Sequence, residues 1–165
     1  MTGPEIRAIP ALQTRSLRER VLRPGQSADE LEYPGDDAAD TRHFGAYLGN
    51  ELVGVASIYR ELQPDAQESV AWRLRGMATD TSVRRTGIGG ALVEACKFHV
   101  ANLGGTRIWC NARSSAVGFY LALGFRAEGR EFELPGIGTH VLMWRPVSRP
   151  GDRQAAAERE LPREE

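Results

Sequence analysis

Strands and helices alternate along this chain in a pattern that predicts an α/β (α+β) domain built on a single sheet. Three observations carry the prediction. An apparent strand from about Ser69 to Thr79 runs into a glycine-rich turn and then a helix with a 3.6-residue apolar period, Ile88, Ala91-Leu92, Ala95-Cys96, His99 and Leu103. A second strand–helix unit follows, Thr106 to Cys110 and then Ala116, Phe119-Tyr120 and Leu123. Two hairpins complete the pattern, one turning at Gly49-Asn50 and one at Pro135-Gly136.

Each element follows from local chemistry. Glu5 to Ile9 reads as a short first strand. From Pro10 the pattern is helical, with Leu12, Leu17 and Val21-Leu22 apolar among arginines, and Pro24-Gly25 stops it. Gln26 to Asp40 is loop-like, turning at Pro34-Gly35. Strands His43 to Leu48 and Leu52 to Glu61 form the first hairpin. Gly104-Gly105 ends the long helix, as glycines commonly do, and Ser114 or Ser115 is placed to cap the next one, which Gly124 ends. Strands Phe125 to Leu134 and Thr139 to Arg145 close the fold. The expected organisation is one domain over residues 1–147, with a charged tail over 148–165 too poor in apolar residues to offset its ordering entropy.

Composition excludes several function classes. A formal net charge of −1 gives no support for nucleic-acid binding driven by bulk electrostatics. No apolar run approaches the roughly 18 residues of a membrane span, and Met1-Thr2-Gly3-Pro4-Glu5 lacks the basic and apolar regions of a signal peptide. Cys96 and Cys110 have no metal-ligand spacing and read as small core residues. A cytoplasmic setting is expected, with no metal and no membrane or nucleic-acid partner.

The most informative stretch is Val83-Arg84-Arg85-Thr86-Gly87-Ile88-Gly89-Gly90, which opens the long helix. Helix N-termini carry unpaired N–H groups and a partial positive charge, so this turn suits an anion. Gly87 and Gly89 would let a ligand approach the backbone. A P-loop needs a lysine after its glycines, and the only lysine is Lys97. A dinucleotide fingerprint needs a third glycine where Leu92 stands. What remains is Arg/Gln-x-x-Gly-x-Gly/Ala, satisfied by Arg84, Gly87 and Gly89. It resembles the coenzyme A pyrophosphate loop of the GCN5-related N-acetyltransferase (GNAT) superfamily. Asn111-Ala112-Arg113-Ser114-Ser115-Ala116-Val117-Gly118-Phe119-Tyr120-Leu121-Ala122-Leu123-Gly124-Phe125 resembles a second segment of that family, Asn-x-x-Ala/Ser-x-x-Phe-Tyr-x-x-x-Gly-Phe, in the right order and at the right interval.

The resemblance, over roughly Gly45 to Trp144, implies a mixed sheet of about six to seven strands. Helices would flank both faces, and the sheet would splay between its two central parallel strands, 69–79 and 106–110. It implies acetyl-CoA as co-substrate and direct transfer to a primary amine, without a covalent enzyme intermediate. Backbone groups of Met77, Ala78 and Thr79 would pair with the pantetheine arm, and amides from Arg84 or Arg85 through Thr86, Gly87, Ile88, Gly89 and Gly90 would cradle the pyrophosphate. Arg85 stands where many relatives have glycine; its guanidinium would reach an adenosine phosphate or simply be solvated. Asn111 would sit beside the pantetheine, or serve as a turn residue. Tyr120 would donate a proton to the departing thiolate, the alternative being a core tyrosine. A backbone N–H near the splay would stabilise the oxyanion. Relatives often pair near the cleft as homodimers. The main alternative to an enzyme is an acyl-CoA-binding sensor that keeps the cradle without turnover.

Other assignments stay open at this stage. The base that deprotonates the amine is Glu68, Glu133, His140 or water, histidine being the side chain that ordinarily titrates near neutrality. The acidic loop carrying Asp29, Glu30, Glu32, Asp36, Asp37 and Asp40 is either solvated or attracts a cationic amine. Trp72, Trp109 and Trp144 read as core or cleft-wall aromatics.

Overall fold

The computed structural model describes residues 3–64 and 70–148. Seven strands form one mixed sheet in the order β1-β2-β3-β4-β5-β7-β6. They are β1 (Glu5–Ile9), β2 (Arg42–Leu48), β3 (Glu51–Arg60), β4 (Ala71–Thr79), β5 (Arg107–Arg113), β6 (Arg126–Leu134) and β7 (Gly138–Pro146). The helical segment over 11–22, here α1, is a 3-10 turn (Ala11–Thr14), one α turn (Arg15–Leu17) and a π turn (Arg18–Leu22). The others are α2 (Ile88–Asn102) and α3 (Val117–Ala122). Ser69, the first residue of the expected 69–79 strand, and the expected tail beyond Ser148 lie outside the described residues.

Two apolar clusters sit on opposite faces of the sheet. On one face, Ile88, Leu92, Val93, Cys96 and Val100 of α2 and Tyr120 of α3 pack on Val53, Ile58, Trp72, Leu74, Ile108, Cys110 and Met143. On the other, Leu17 of α1 packs with Ile9, Val55 and Ala78. The α2 stripe is rotated from the one expected: Val93 and Val100 are buried, whereas Leu103 lies past the helix end and is exposed. Gly104 at φ +77 makes the left-handed cap, and the Gly105 amide reaches back to Val100 O at 2.8 Å. The expected serine cap is absent: Arg113 occupies the cap position of a short 3-10 turn (Ser114–Ala116) with no side-chain hydrogen bond.

The feature that positions a site lies at the centre of the sheet. β4 and β5 pair in parallel only at Ala71↔Arg107, Trp72↔Ile108 and Arg73↔Trp109. Beyond Arg73 the two strands diverge, leaving the β5-facing edge of β4 without a strand partner. β4 also carries a bulge opposite Ala56, where Gly76 and Met77 have no partner on β3 and Gly76 sits at φ +64. Bulges re-aim backbone groups, and they recur beside functional sites.

Candidate functional site

The loop from β4 to α2 stands at the open end of this splay. Asp80 caps the 3-10 turn (Thr81–Val83), accepting from the Ser82 amide at 3.0 Å, and it pairs with Arg20 Nη2 at 2.6 Å. Thr86 donates its hydroxyl to Val83 O. Arg84 through Gly87 are exposed, and α2 begins after Gly87 at φ +87. Arg85 has φ +63, the left-handed backbone that favours glycine. A Cβ on Gly87 would meet nothing within 4 Å, as a cradle for a ligand requires. Gly89 differs from expectation: a Cβ there would lie 3.0 Å from two ring atoms of Phe119, so this glycine serves helix packing.

Tyr120 approaches from the α2 face and is 6 % exposed. Edge-on contacts with Phe119 and Phe125, at centroid distances of 5.0 and 5.2 Å, hold its ring. Burial, reinforced by the neighbouring Cys110 and Cys96 thiols, raises the phenol well above its ordinary value, so it stays protonated. Both cysteines are buried; burial pushes the Cys110 thiol up to about 12, which suits inert core residues.

The opposite face of the splay is cationic. Strand register places Asn111, Arg113, Leu142 and His140 together on the face away from Cys110, Ala112, Val141 and Met143. His140 is 4 % exposed, stacks on Phe132, and contacts Gly138 O through Nδ1 at 2.8 Å. A carbonyl only accepts, so in the neutral ring Nδ1 carries the hydrogen and Nε2 the lone pair. Arg113 opposes His140 in the ladder and donates to Leu22 O at 2.8 Å, joining β5 to the end of α1. Beside Leu22, the Arg23 guanidinium lies 5.0 Å from the Tyr33 ring, and that of Arg75 lies 4.3 Å from it. Among the described residues neither Arg23 nor Arg75 has a carboxylate partner, and both are partly buried. Burial, then Arg73 and Arg23, lower the Arg75 guanidinium from its ordinary value, the mark of a partly desolvated cation near like charge.

Four of the six carboxylates of the acidic loop are partnered, whereas Asp29 and Asp37 are exposed and have no partner among the described residues. Arg18, 0 % exposed, grips Asp36 through Nη1 at 2.7 Å and Nη2 at 3.1 Å, and donates to Leu31 O at 2.9 Å. Glu32 pairs with Arg15, Asp40 with Arg60, and Glu30 accepts from the Ser27 amide. Of the candidate bases, Glu133 is exposed, accepts from Thr139 Oγ1, and opposes Thr139 rather than His140 in the hairpin. Glu68 lies outside the described residues. Arg18, Arg23, Tyr33 and Arg75 escaped the reading of the sequence. The one available signal was Arg18, four residues after Thr14 and next to Leu17, on the face of α1 that turns inward.

A mixed sheet parted between two parallel strands, with a glycine turn at its mouth, is the acyltransferase architecture that the resemblance in the sequence implied. Residues 20–144 match the Acetyltransferase (GNAT) domain, and the chain belongs to that family. It is 36% identical over 143 residues to the uncharacterized N-acetyltransferase YitI of Bacillus subtilis (strain 168), covering 87% of this chain and 96% of that one. The crystal structure of an aminoglycoside 6'-N-acetyltransferase complexed with coenzyme A matches with a TM-score of 0.70 at 17% identity, covering 88% of this chain and 99% of that one. The ribosomal-protein-S18-alanine N-acetyltransferase of Escherichia coli matches with a TM-score of 0.67 at 19% identity, covering 90% and 97%. These two likenesses are of fold. The chain is thus a GNAT acyltransferase of a family that uses acetyl-CoA and acts on amines. No helix among the described residues is long and apolar enough to cross a membrane.

Proposed function

We propose that this enzyme transfers the acetyl group of acetyl-CoA to a small primary amine that also bears an anionic group. The observation that carries the acceptor class is the pair Arg23 and Arg75, partly buried against Tyr33 without a carboxylate, beside Arg113 and His140 at the splay. Clustered cations of this kind lower their mutual repulsion by binding an anion, and guanidinium suits carboxylate or phosphate geometry. The same field disfavours an ammonium, so the bound amine loses its proton more readily.

The coenzyme enters the gap between β4 and β5. Its pantetheine pairs with the open edge at Met77, Ala78 and Thr79, near Asn111, and its pyrophosphate sits on the amides from Arg84 through Gly90. Because the gap passes through the plane of the sheet, the thioester is reached from both faces. The amine attacks the carbonyl carbon from the cationic face and His140 Nε2 accepts its proton, directly or through water. The oxyanion takes an amide of the bulge at Gly76–Met77. Collapse breaks the C–S bond, and Tyr120 protonates the thiolate from the α2 face.

Calorimetry and an amine screen test this. Wild type should bind acetyl-CoA, and Gly87→Gln should bind at least about tenfold more weakly, because glutamine strains the left-handed turn and fills the cradle. Equal affinity would make the turn purely structural and remove the coenzyme assignment. With thiol release as readout, amines carrying a carboxylate or phosphate should exceed matched neutral amines in kcat/KM. Arg75→Ala should raise KM for the anionic amine about tenfold to a hundredfold, the scale of one charge-assisted contact, with acetyl-CoA affinity unchanged. An equal preference for neutral amines in wild type would refute the acceptor class.

A further inference from the structure

We infer that Tyr33 is a positioning residue for acceptor recognition, its ring gathering Arg23 and Arg75 into one anion-binding pair. The inference rests on the acceptor class proposed above and adds the device that sets it. Three guanidinium carbons surround this ring, those of Arg18 at 4.0 Å, Arg75 at 4.3 Å and Arg23 at 5.0 Å. They come from the middle of α1, from β4 and from the residue that follows α1, so the ring of loop 31–36 is where α1 and β4 meet.

Only one of the three charges is neutralised, Arg18 by Asp36. The other two repel one another, and the electron-rich faces of an aromatic ring offset part of that repulsion. An aliphatic side chain of similar bulk would fill the space without doing so. The backbone that carries the ring is tied down. The Tyr33 amide donates to Asp36 Oδ2 at 2.9 Å, and Arg18 holds Leu31 O two residues earlier. Tyr33 itself is 4 % exposed. Room for it comes from the β4 bulge: a Cβ on Gly76 would stand 3.3 Å from Tyr33 Cε2 and 3.1 Å from Arg18 Nε. Loop 31–36, the bulge and α1 thus form one module. The buried Arg18–Asp36 pair fixes the ring, and the ring fixes the spacing of the two cations left for substrate.

The test compares Tyr33→Phe with Tyr33→Leu, using as probes a carboxylate-bearing primary amine and its neutral counterpart. Phe keeps the ring and should leave both KM values within about twofold of wild type. Leu should raise KM for the anionic amine about tenfold, with kcat at saturating amine, KM for the neutral amine and acetyl-CoA affinity each within about twofold. If Leu does not fold, as judged by lost acetyl-CoA binding, Tyr33→Met is measured in its place with the same expectation. An anionic-amine KM unchanged in the folded aliphatic variant, while wild type prefers the anionic amine, overturns the role of Tyr33 alone. A wild type without that preference overturns the acceptor class, and the role of Tyr33 with it.

Discussion

Replacing Tyr120 by phenylalanine is expected to lower kcat by at least about tenfold, and toward a hundredfold if proton donation limits the rate. Acetyl-CoA affinity should not change. The substitution removes one oxygen from a side chain whose ring is held by Phe119 and Phe125, so packing survives and the measurement isolates the hydroxyl. Burial keeps that hydroxyl protonated across the working pH range, as a donor to sulfur must be. Steady-state kinetics with thiol release, together with a calorimetric acetyl-CoA titration, decides the matter. A kcat equal to wild type would make Tyr120 a core residue only.

The largest effect on stability is expected from Asp36→Ala. It strands the Arg18 guanidinium, which is fully buried, and breaking such a pair from one side destabilises by about 3–5 kcal/mol. That is a large share of the roughly 5–15 kcal/mol that holds a domain folded. The network is extensive: Tyr59 donates to Asp36 Oδ1, Arg18 Nη2 donates to Ser57 Oγ at 3.1 Å and Tyr59 Oη at 3.0 Å, and His43 bridges Ser57 Oγ and Asp36 O. Urea titration measures the loss; one below about 1 kcal/mol would show that water reaches Arg18. A double replacement, Arg18→Met with Asp36→Leu, should lose far less than Asp36→Ala, since no charge is left stranded.

The same carboxylate gives a pH dependence of known sign. Burial alone would raise Asp36, but hydrogen bonds from Arg18, Tyr59 and the Tyr33 amide outweigh it and hold the group below the ordinary carboxylate range. A carboxyl depressed on folding contributes its stability above the unfolded-state value near 4, and that contribution fades as pH falls through the lower folded value. Asp36→Asn should therefore show a weaker acid dependence than wild type below about pH 4.

Much of the fold was legible because its signals are local. Gly49-Asn50 marked the hairpin of β2 and β3, and Gly104 and Gly124 marked the helix ends. The glycine turn that opens α2 was legible too, since a helix entry is a property of a few consecutive backbone groups. The inward face of α2 was less so. A 3.6-residue period admits several neighbouring stripes when alanines flank them, and only packing on β2, β3 and β4 chose Val93 and Val100 over Leu103. Arg18 was misleading in the sequence for a different reason. An arginine among arginines reads as a solvated face, and its partner Asp36 belongs to a loop whose carboxylates look alike until one of them is buried.

By itself, the sequence determined the order of strands and helices and the glycine turn that opens α2, since each depends on contacts within a few residues. The tertiary structure alone decided where β4 leaves β5, which carboxylate is spent on Arg18, and that Arg23 and Arg75 meet at Tyr33. Those are encounters between residues far apart in the chain, and burial and charge pairing select them only when the sheet has closed.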